Sequence, residues 1–386
     1  RIIRTSMRIV VTGGMGFIGS SFVNLLGRKL PTAQVVVVDK MTYAANPNNL
    51  KTQVTLIKED ICDVTVEDLG DYDYLVHFAA ESHVDNSIKD GRPFIRTNVE
   101  GTFNIIECAR QNKNLKKFIH ISTDEVYGDM NDIDTLAEAH EKYPLHGSSY
   151  YSASKAASDL LVEAAGRTFG LPYLITRTCN NYGAHQNAEK FIPKIIQSIK
   201  EDKTIPVYGD GRQVREWIDV EDNVQLIYEL MLSDQLNEVY NIGSGERYEN
   251  IEIVNMIGEM LGKTPRFEYV TDRLGHDRRY ALNSTKVREI FSDWEILSFQ
   301  EFLLEQVNEL KEKVYRNQAK GANVGMCFDE IPVILTGERS DRNDVKQRFF
   351  DHENYEELAR KTGRNVKRQL EIFEEDKTEN NEYTNN

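Results

Sequence analysis

Arg8-Ile-Val-Val-Thr12, followed directly by Gly13-Gly-Met-Gly-Phe-Ile-Gly19, is the stretch of sequence that decides the fold. It is typical of a short apolar strand, a glycine-rich turn and the start of a helix. Glycines at 13, 16 and 19 allow a tight turn and let the backbone approach a pyrophosphate at the helix N-terminus. The next predicted strand, 34–39, ends at Asp39, where a carboxylate can accept both ribose hydroxyls and repel a 2′-phosphate. Together these features predict a dinucleotide site that takes NAD rather than NADP.

Short apolar strands alternate with helical stretches along the first half of the chain. The pattern predicts strands at 54–57, 74–78, 118–122 and 173–176, and helices at about 93–112 and 150–169. Strands that are apolar throughout and separated by helices indicate a parallel sheet covered on both faces. The predicted fold class is therefore α/β, a doubly wound parallel sheet of Rossmann type.

The predicted domain organisation has four parts. Residues 1–6 precede Met7 and are interpreted as a short remnant ahead of the native start. Residues 7–180 form the Rossmann-type domain, and 181–312 form a smaller α/β substrate lobe that shares strands and helices with it. Residues 313–386 form a C-terminal extension of unknown role, with one strand expected at 326–335 and charged helix at 341–375.

Composition limits the classes of partner. The chain has 386 residues with 47 Lys and Arg against 62 Asp and Glu, a net charge of −15, which argues against nucleic acid or an anionic membrane as the main partner. No apolar run approaches the roughly 20 residues that cross a bilayer, so we expect a soluble, cytoplasmic protein. The cysteines at 62, 108, 179 and 327 lack CxxC spacing, which favours reduced thiols over disulfides or a metal site.

A second motif, Tyr151-Ser-Ala-Ser-Lys155, falls on the predicted helix 150–169. A spacing of four residues puts the phenol and the ammonium on one face of the helix. We expect Lys155 to favour the tyrosinate and so to lower the pKa of Tyr151 below its usual value of about 10. Such a pair is commonplace on helix surfaces, and the dinucleotide motif ahead of it is what indicates a catalytic base.

The glycine string, Asp39, Ser122-Thr123 and the Tyr/Lys pair together resemble the extended short-chain dehydrogenase/reductase family over about residues 7–310. Within that family, the sequence Thr123-Asp124-Glu125 is similar to that of the dTDP-glucose 4,6-dehydratases. Epimerases of the family typically carry small or apolar residues after the Thr or Ser, and decarboxylases carry Ser-Glu. The resemblance extends to the strings at 39–46, 79–85, 180–183, 189–193 and 272–280.

This resemblance implies an NAD-dependent hydro-lyase that converts dTDP-glucose to the 4-keto-6-deoxy sugar and water. It implies Glu125 as the base at sugar carbon 5 and Asp124 as the acid at the carbon-6 hydroxyl. Thr123 polarises the carbon-4 ketone, and Tyr151 with Lys155 forms the carbon-4 base. Because the acid has to be protonated at working pH, we expect burial beside the like charge of Glu125 to raise the pKa of Asp124.

The resemblance also implies two sets of binding residues and a homodimer formed through the helix that bears Tyr151. The cofactor set is Gly13, Gly16, Phe17, Ile18, Gly19, Asp39, Lys40, Thr42, Asp60, Ile61, Ala79, Ala80, Tyr151 and Lys155. The substrate set, for the diphosphate, base and sugar of a nucleotide sugar, is Ser82, His83, Asn180, Asn181, Lys190, Tyr208, Arg215, Arg273, His276 and Arg278.

Three alternatives stay open from the sequence. One is a dehydratase for a UDP or CDP sugar, and the second is an epimerase or decarboxylase of the same fold. Asp124 argues against the second, because those reactions have no hydroxyl to protonate and release. The third is a non-catalytic NAD-binding scaffold whose C-terminal extension recruits a partner.

Overall fold

The computed structural model describes residues 6–131, 137–292 and 296–302. The strands are β1 Arg8–Thr12, β2 Gln34–Val38, β3 Thr55–Ile57, β4 Tyr74–His77, β5 Lys117–Thr123, β6 Tyr173–Thr178, β7 Asn180–Tyr182, β8 Ile205–Tyr208, β9 Val214–Asp219, β10 Glu238–Ile242, β11 Arg247–Glu249 and β12 Phe267–Val270. The α-helices are α1 Phe17–Lys29, α2 Val66–Leu69, α3 Val84–Lys89, α4 Arg92–Phe94, α5 Thr102–Gln111, α6 Tyr150–Phe169, α7 Phe191–Lys200, α8 Val220–Leu232, α9 Asn250–Met260 and α10 Thr285–Ile290. A π-helical turn, Ile95–Gly101, joins α4 to α5, and 3-10 turns occur at Pro47–Asn49 and Asp124–Tyr127.

Seven strands form one parallel sheet in the order β10-β6-β5-β4-β1-β2-β3. Valine and isoleucine dominate its central strands, and β4, β5 and β6 are buried along their whole length. Two apolar clusters, one on each face, pack helices against the sheet. This arrangement confirms the predicted doubly wound α/β fold.

The strand order reverses direction between β1 and β4, because the chain builds β2 and β3 on one side of β1 and the later strands on the other. In open parallel sheets the crevice at such a reversal, beyond the carboxyl ends of the strands, is where ligands bind. The glycine-rich turn after β1 and the Asp124–Tyr127 turn after β5 both lie at those ends. The fold therefore brings the two predicted motifs to the same edge of the sheet.

Residues beyond β6 form smaller sheets over a third apolar cluster. β7, β9 and β11 make one sheet, β8 and β12 make another, and the cluster beneath them includes Trp217 and Phe299. The strand β10 from this region pairs instead with β6 in the large sheet. One strand from this region of the chain is thus part of the large sheet.

The elements predicted up to residue 180 agree with the structure to within about two residues. The short strands β7, β8, β9 and β11 lack a long apolar run, and the sequence did not predict them individually. The expected strand at 326–335, the expected helix at 341–375 and Cys327 lie outside the described residues. Among the described cysteines, Cys62, Cys108 and Cys179 are free thiols, and within the described ranges no group of His, Cys, Asp and Glu could hold a metal ion. None of the described helices has the length and hydropathy of a membrane span.

Candidate active site

The turn between β1 and α1 is built as a cradle that only glycine permits. Gly13 has φ +70°, and a Cβ there would lie 2.7 Å from the Ala79 nitrogen. A Cβ on Gly19 would clash with the Gly13 carbonyl oxygen. Because these Cβ atoms are absent, α1 can pack closely against the turn. Phe17 and Ile18, in the first turn of α1, are partly exposed. These residues fit a dinucleotide pyrophosphate, the role predicted for them.

The carboxylate of Asp39 follows β2 and joins this turn to the next strand end. Its Oδ2 accepts from the Met15 nitrogen at 3.0 Å, and its Oδ1 accepts from the Met41 nitrogen at 2.8 Å. Each oxygen keeps a second lone pair for a ribose hydroxyl. Lys40 Nζ lies 2.7 Å from Asp60 Oδ2, so two of the predicted cofactor residues form an ion pair.

The remaining predicted cofactor residues lie on the same side of the sheet. Ile61 is buried directly after Asp60, and the Ala79 nitrogen donates to Thr12 Oγ1 at 3.3 Å. Ala80 follows β4 and is partly exposed, and Thr42 is exposed in the segment after Asp39. The donor set and the cradle together fit NAD.

Tyr151 and Lys155 stand in the first turns of α6. The helix begins there because Ser149 and Ser152 form a reciprocal capping box, with Ser149 Oγ accepting from the Ser152 nitrogen at 3.1 Å. Both functional side chains are buried. The Thr123 side chain lies close enough to the Tyr151 phenol to affect its pKa, so the tyrosine reaches the end of β5 as predicted.

One electrostatic prediction about this pair is wrong. Burial raises the pKa of Tyr151 well above its usual value, and the charge of Glu125 raises it further, although the Thr123 side chain opposes this. Lys155 Nζ donates to the Ile121 carbonyl at 2.7 Å. Burial lowers the pKa of Lys155 itself to about 8. The sequence pattern captured the shared helix face but not the desolvation of both groups.

The adjacent carboxyls of Asp124 and Glu125 occupy opposite electrostatic environments. Asp124 is 2% exposed, and burial, followed by the charges of Glu125 and Glu216, raises its pKa well above the usual range. Its Oδ2 is buried and has no hydrogen-bond partner within the described part of the chain. The predicted protonated acid is thus supported by burial, the like charge of Glu125 and the additional carboxylate of Glu216.

Glu125, in contrast, faces cations. Burial raises its pKa, but Arg215, Arg273 and Lys190 all act in the opposite direction. The Glu125 nitrogen donates to Thr123 Oγ1 at 3.3 Å, which holds the turn against the end of β5. The pKa values of both carboxyls are therefore raised, that of Asp124 well above the usual range, and three cations favour the ionised form of Glu125. These different surroundings suit an acid and a base.

The predicted substrate cations converge on this turn from the smaller lobe. Arg215 on β9 donates to the Asp277 carbonyl at 2.8 Å, and its guanidinium lies 4.2 Å from the centre of the Tyr280 ring. Lys190 Nζ lies 3.3 Å from the Ser82 carbonyl oxygen. These contacts hold the Arg215 guanidinium and the Lys190 ammonium near Glu125.

A second group of predicted substrate residues surrounds Asp85 on α3. Arg273 Nη1 donates to Asp85 Oδ1 at 3.1 Å, and the Tyr208 hydroxyl lies 3.5 Å from Asp85 Oδ2. The ring of Tyr208 meets that of His276 edge to face. Asp85 therefore ties the nucleotide-binding body to the smaller lobe across the crevice.

Four predicted substrate residues stand apart from this convergence. Asn181 uses both amide hydrogens within the protein, on Thr178 Oγ1 and the Cys179 carbonyl, and its Oδ1 accepts from Asn223 at 2.8 Å. These bonds hold the buried amide in a fixed orientation, and its role as a substrate contact stays a prediction. Its neighbour Asn180 lies on the same short strand and is partly exposed. The other two are His83, which begins α3 with its Nε2 3.9 Å from Glu189, and Arg278, which forms a bidentate pair with Asp210.

Sequence reasoning missed Glu216, which acts on the acid from β9. It is fully buried, accepts from the Gly245 nitrogen at 2.8 Å and pairs with Arg247 Nε at 3.0 Å. A buried carboxylate in an otherwise ordinary strand, Val214–Asp219, is the only signal that could have indicated it. Its proximity to Asp124 depends on strand packing that no local pattern shows.

Comparisons with known proteins agree with this geometry. Residues 9–243 match the model of the NAD dependent epimerase/dehydratase family. The dTDP-glucose 4,6-dehydratase of Haemophilus influenzae is 42% identical over 312 residues, which cover 73% of this chain and 91% of that protein. The low-salt glycan biosynthesis protein Agl12 of Haloferax volcanii is 45% identical over 297 residues, which cover 75% of this chain and 93% of that protein.

Solved structures show the same relationship. The dTDP-glucose 4,6-dehydratase DesIV of Streptomyces venezuelae, solved with NAD bound, superimposes with a TM-score of 0.74 and 39% identity over 80% of this chain and 98% of its own. A UDP-glucose 4-epimerase of Thermotoga maritima, solved with UDP-glucose, gives a TM-score of 0.71 at 28% identity over 80% of this chain and 100% of its own. The glycine cradle and the Tyr151/Lys155 helix agree with these matches, and the chain belongs to the NAD dependent epimerase/dehydratase family.

Proposed function

We propose that the protein is an NAD-dependent dTDP-glucose 4,6-dehydratase, which forms the 4-keto-6-deoxy sugar and water. The observation that carries the proposal is the Asp124–Glu125 turn, where a buried acid faces another carboxylate and its neighbouring base faces cations. The relatives and solved structures named as dTDP-glucose 4,6-dehydratases support the same reaction.

The first half of the reaction is carried by α6 and the end of β5. The Tyr151 oxygen takes the proton of the carbon-4 hydroxyl, and Lys155, one helical turn away, stabilises the negative charge that the phenol bears. Thr123, which lies close to the Tyr151 phenol, polarises the resulting ketone. NAD held by the glycine turn and Asp39 would supply the hydride transfer from carbon 4 to carbon 6, and its positive charge would favour the Tyr151 phenolate.

The second half belongs to the turn. The ketone acidifies carbon 5, and the carboxylate of Glu125 removes that proton. Asp124 gives its proton to the carbon-6 hydroxyl, which leaves as water. After carbon 6 is reduced, Glu125 returns a proton to carbon 5, so that both carboxyls exchange the protons that the net reaction requires.

Binding roles follow from the placement of the side chains. We assign Gly13, Gly16 and Gly19 to the pyrophosphate and Asp39 to the ribose of NAD. Arg273 and Arg215 suit the substrate diphosphate, because a guanidinium group can donate two parallel hydrogen bonds to phosphate oxygens. Tyr208, partly exposed at the mouth of the crevice, suits stacking against the nucleotide base.

A single incubation tests the reaction. With dTDP-glucose and NAD in deuterated water, we expect the 4-keto-6-deoxy product to carry deuterium at carbon 5, because Glu125 exchanges its proton with solvent. Mass spectrometry and NMR of the product measure this. The proposal would be contradicted if the sugar neither lost water nor incorporated deuterium.

Parallel incubations with UDP- and CDP-glucose compare the nucleotides, and they separate this proposal from its rivals. Turnover of UDP- or CDP-glucose at a higher kcat/KM would transfer the assignment to that nucleotide sugar. An epimerase would interconvert sugars without releasing water, and a decarboxylase would release carbon dioxide. Asp124 favours the dehydratase over both, because only elimination needs an acid at the carbon-6 hydroxyl.

We also propose a homodimer formed through α5 and α6. These helices pack side by side, and Arg110 on α5 lies over the ring of Phe169 on α6 at 3.4 Å. Phe103 and Leu160, on the two helices, are each about half exposed. A second copy of the same surface would bury these apolar side chains, as an isologous contact requires.

Replacing Leu160 with Glu tests the dimer. We expect Leu160→Glu to sediment as a monomer, because a charge at the centre of the contact has to be desolvated in both copies. Leu236→Glu is the matched control, since Leu236 is 44% exposed on the loop before β10 and should leave the dimer intact. A monomeric unmodified protein in analytical ultracentrifugation would rule the dimer out.

A further inference from the structure

A chain of buried polar groups begins at the catalytic lysine. Lys155 Nζ, besides its bond to the Ile121 carbonyl, lies 3.5 Å from His120 Nε2. The same imidazole nitrogen lies 3.0 Å from Ser158 Oγ and 3.4 Å from Asp159 Oδ1. Both His120 and Asp159 are fully buried, so this group of side chains is shielded from solvent.

The hydrogen bonds assign a proton to His120. Ser158 Oγ donates to the Lys155 carbonyl at 2.7 Å, so in this network it accepts from the imidazole. His120 Nε2 therefore carries a hydrogen that it donates to Ser158 Oγ, and the same nitrogen lies 3.4 Å from Asp159 Oδ1. Burial lowers the pKa of His120 to about 4, with the positive charge of Lys155 acting in the same direction. The imidazole is neutral, and the ionised members of this branch are Lys155 and Asp159.

A second branch leaves Asp159 toward the acid–base turn. Asp159 Oδ2 accepts from Arg177 Nε at 2.8 Å, and Arg177 Nη1 donates to the Tyr127 hydroxyl at 3.0 Å. The Tyr127 hydroxyl in turn donates to Asn241 Oδ1 at 2.7 Å. Tyr127 is the last residue of the turn Asp124–Tyr127. The branch therefore fixes the end of the segment that bears both carboxyls.

Burying the charges of Asp159 and Arg177 is not an efficient way to stabilise the fold. A buried ion pair is often no better for folding than an apolar pair of the same volume, because both charges lose their hydration. Asp159 and Arg177 are nevertheless at most 2% exposed. A role in the adjacent site explains why charged groups occupy these positions.

We propose that Asp159 is a positioning residue that serves the catalytic centre along two branches, one to Lys155 and one to the turn Asp124–Tyr127. Across the neutral His120 ring, its negative charge helps to keep the Lys155 ammonium charged in a dry site. Through Arg177 it holds the hydroxyl that anchors the turn. The inference rests on the proposed function for its catalytic meaning, but the charge on Lys155 is measurable without substrate.

The groups around Lys155 define what its titration reports. Asp159 lies on the same helix, His120 on β5 and His77 on β4, and the rings of the two histidines stack 5.5 Å apart. Both imidazoles have pKa values lowered by burial, so neither carries charge near neutral pH. Arg177 on β6 faces the far side of Asp159. The charge of Asp159 raises the pKa of Lys155, and burial, the larger effect, lowers it.

The test is an NMR titration of the protein with carbon-13 at the lysine Cε atoms, with the Lys155 signal assigned by its absence in Lys155→Arg. We expect the pKa of Lys155 to be about 8 in the unmodified protein. In Asp159→Asn it should fall by about one unit or more, because loss of an opposite charge at this range has that effect. An unchanged Lys155 pKa in folded Asp159→Asn would overturn the proposal, whatever substrate the enzyme uses.

Two further variants complete the test. If Asp159→Asn does not fold because the Arg177 charge is left unpaired, Asp159→Asn with Arg177→Met removes both charges, and the fall in the pKa of Lys155 should persist. Tyr127→Phe cuts only the second branch. We expect it to leave the pKa of Lys155 unchanged and to slow deuterium exchange at carbon 5 by about tenfold through misplacement of the turn. Exchange at the unmodified rate would remove the second branch from the proposal.

Discussion

Glu125→Gln should bind NAD and dTDP-glucose and oxidise carbon 4, yet leave carbon 5 without deuterium and release almost no water. The amide keeps the shape of the side chain beside Arg215 and Arg273, but it cannot accept the carbon-5 proton. Loss of a positioned base costs about 10²–10⁴-fold in rate, and we expect kcat to fall by that factor. Single-turnover absorbance at 340 nm measures the oxidation, and mass spectrometry of the recovered sugar measures exchange.

Two comparison variants make the result specific. Asp124→Asn should retain carbon-5 exchange and lose elimination, because the base is intact and only the acid for the carbon-6 hydroxyl is missing. Glu259→Gln, at an exposed position on α9, should have normal activity. Full activity of Glu125→Gln would move the base to another residue, and loss of exchange in Asp124→Asn would show that the two carboxyls do not divide the work as proposed.

Tyr151→Phe should block the reaction one step earlier. Without the phenol no group takes the carbon-4 hydroxyl proton, so neither the 340 nm signal nor carbon-5 exchange should appear, and kcat should fall by about 10²–10⁴-fold. The fall should be in kcat rather than in NAD affinity, which calorimetry measures directly, because the ring remains packed beside Phe94.

The neighbouring Tyr150 provides the matched control for that experiment. It is 63% exposed, and Tyr150→Phe removes the same hydroxyl one residue away. It should keep normal turnover. A Tyr151→Phe protein that still formed the ketone would assign the carbon-4 proton to a different group and would make the raised pKa of Tyr151 a structural property rather than a catalytic one.

The parts of the site that the sequence predicted are those built from neighbouring residues. The glycine turn, the Tyr151/Lys155 face and the Asp124–Glu125 pair each occupy one short segment, and the chemistry of that segment limits what it can be. The sheet followed because the apolar strands and helices alternate with the expected periods. The fold and most of the candidate site could therefore be predicted from local motifs and from the periodicity of apolar residues.

The parts that the sequence missed depend on strands that meet from distant positions. Glu216 raises the pKa of Asp124 from β9, and Arg177 reaches the catalytic turn from β6. The expected lowering of the Tyr151 pKa was wrong for the same reason, since burial depends on the packed fold and not on spacing along a helix. The hydrogen bond from Asn223 to the Asn181 oxygen likewise joins residues far apart in the sequence.

The strand β10 also sets the order in which this protein is completed during synthesis. It pairs with β6 although about sixty residues separate the two in the chain, and its Asn241 accepts a hydrogen bond from the Tyr127 hydroxyl. A ribosome that has released only the glycine turn, α6 and β6 has therefore made every proposed catalytic side chain, but not the strand that steadies them. At the usual rate of about 5–20 residues per second, the nascent chain waits several seconds with an open sheet edge. Truncation before β10 should consequently give an aggregation-prone fragment rather than a small NAD-binding domain.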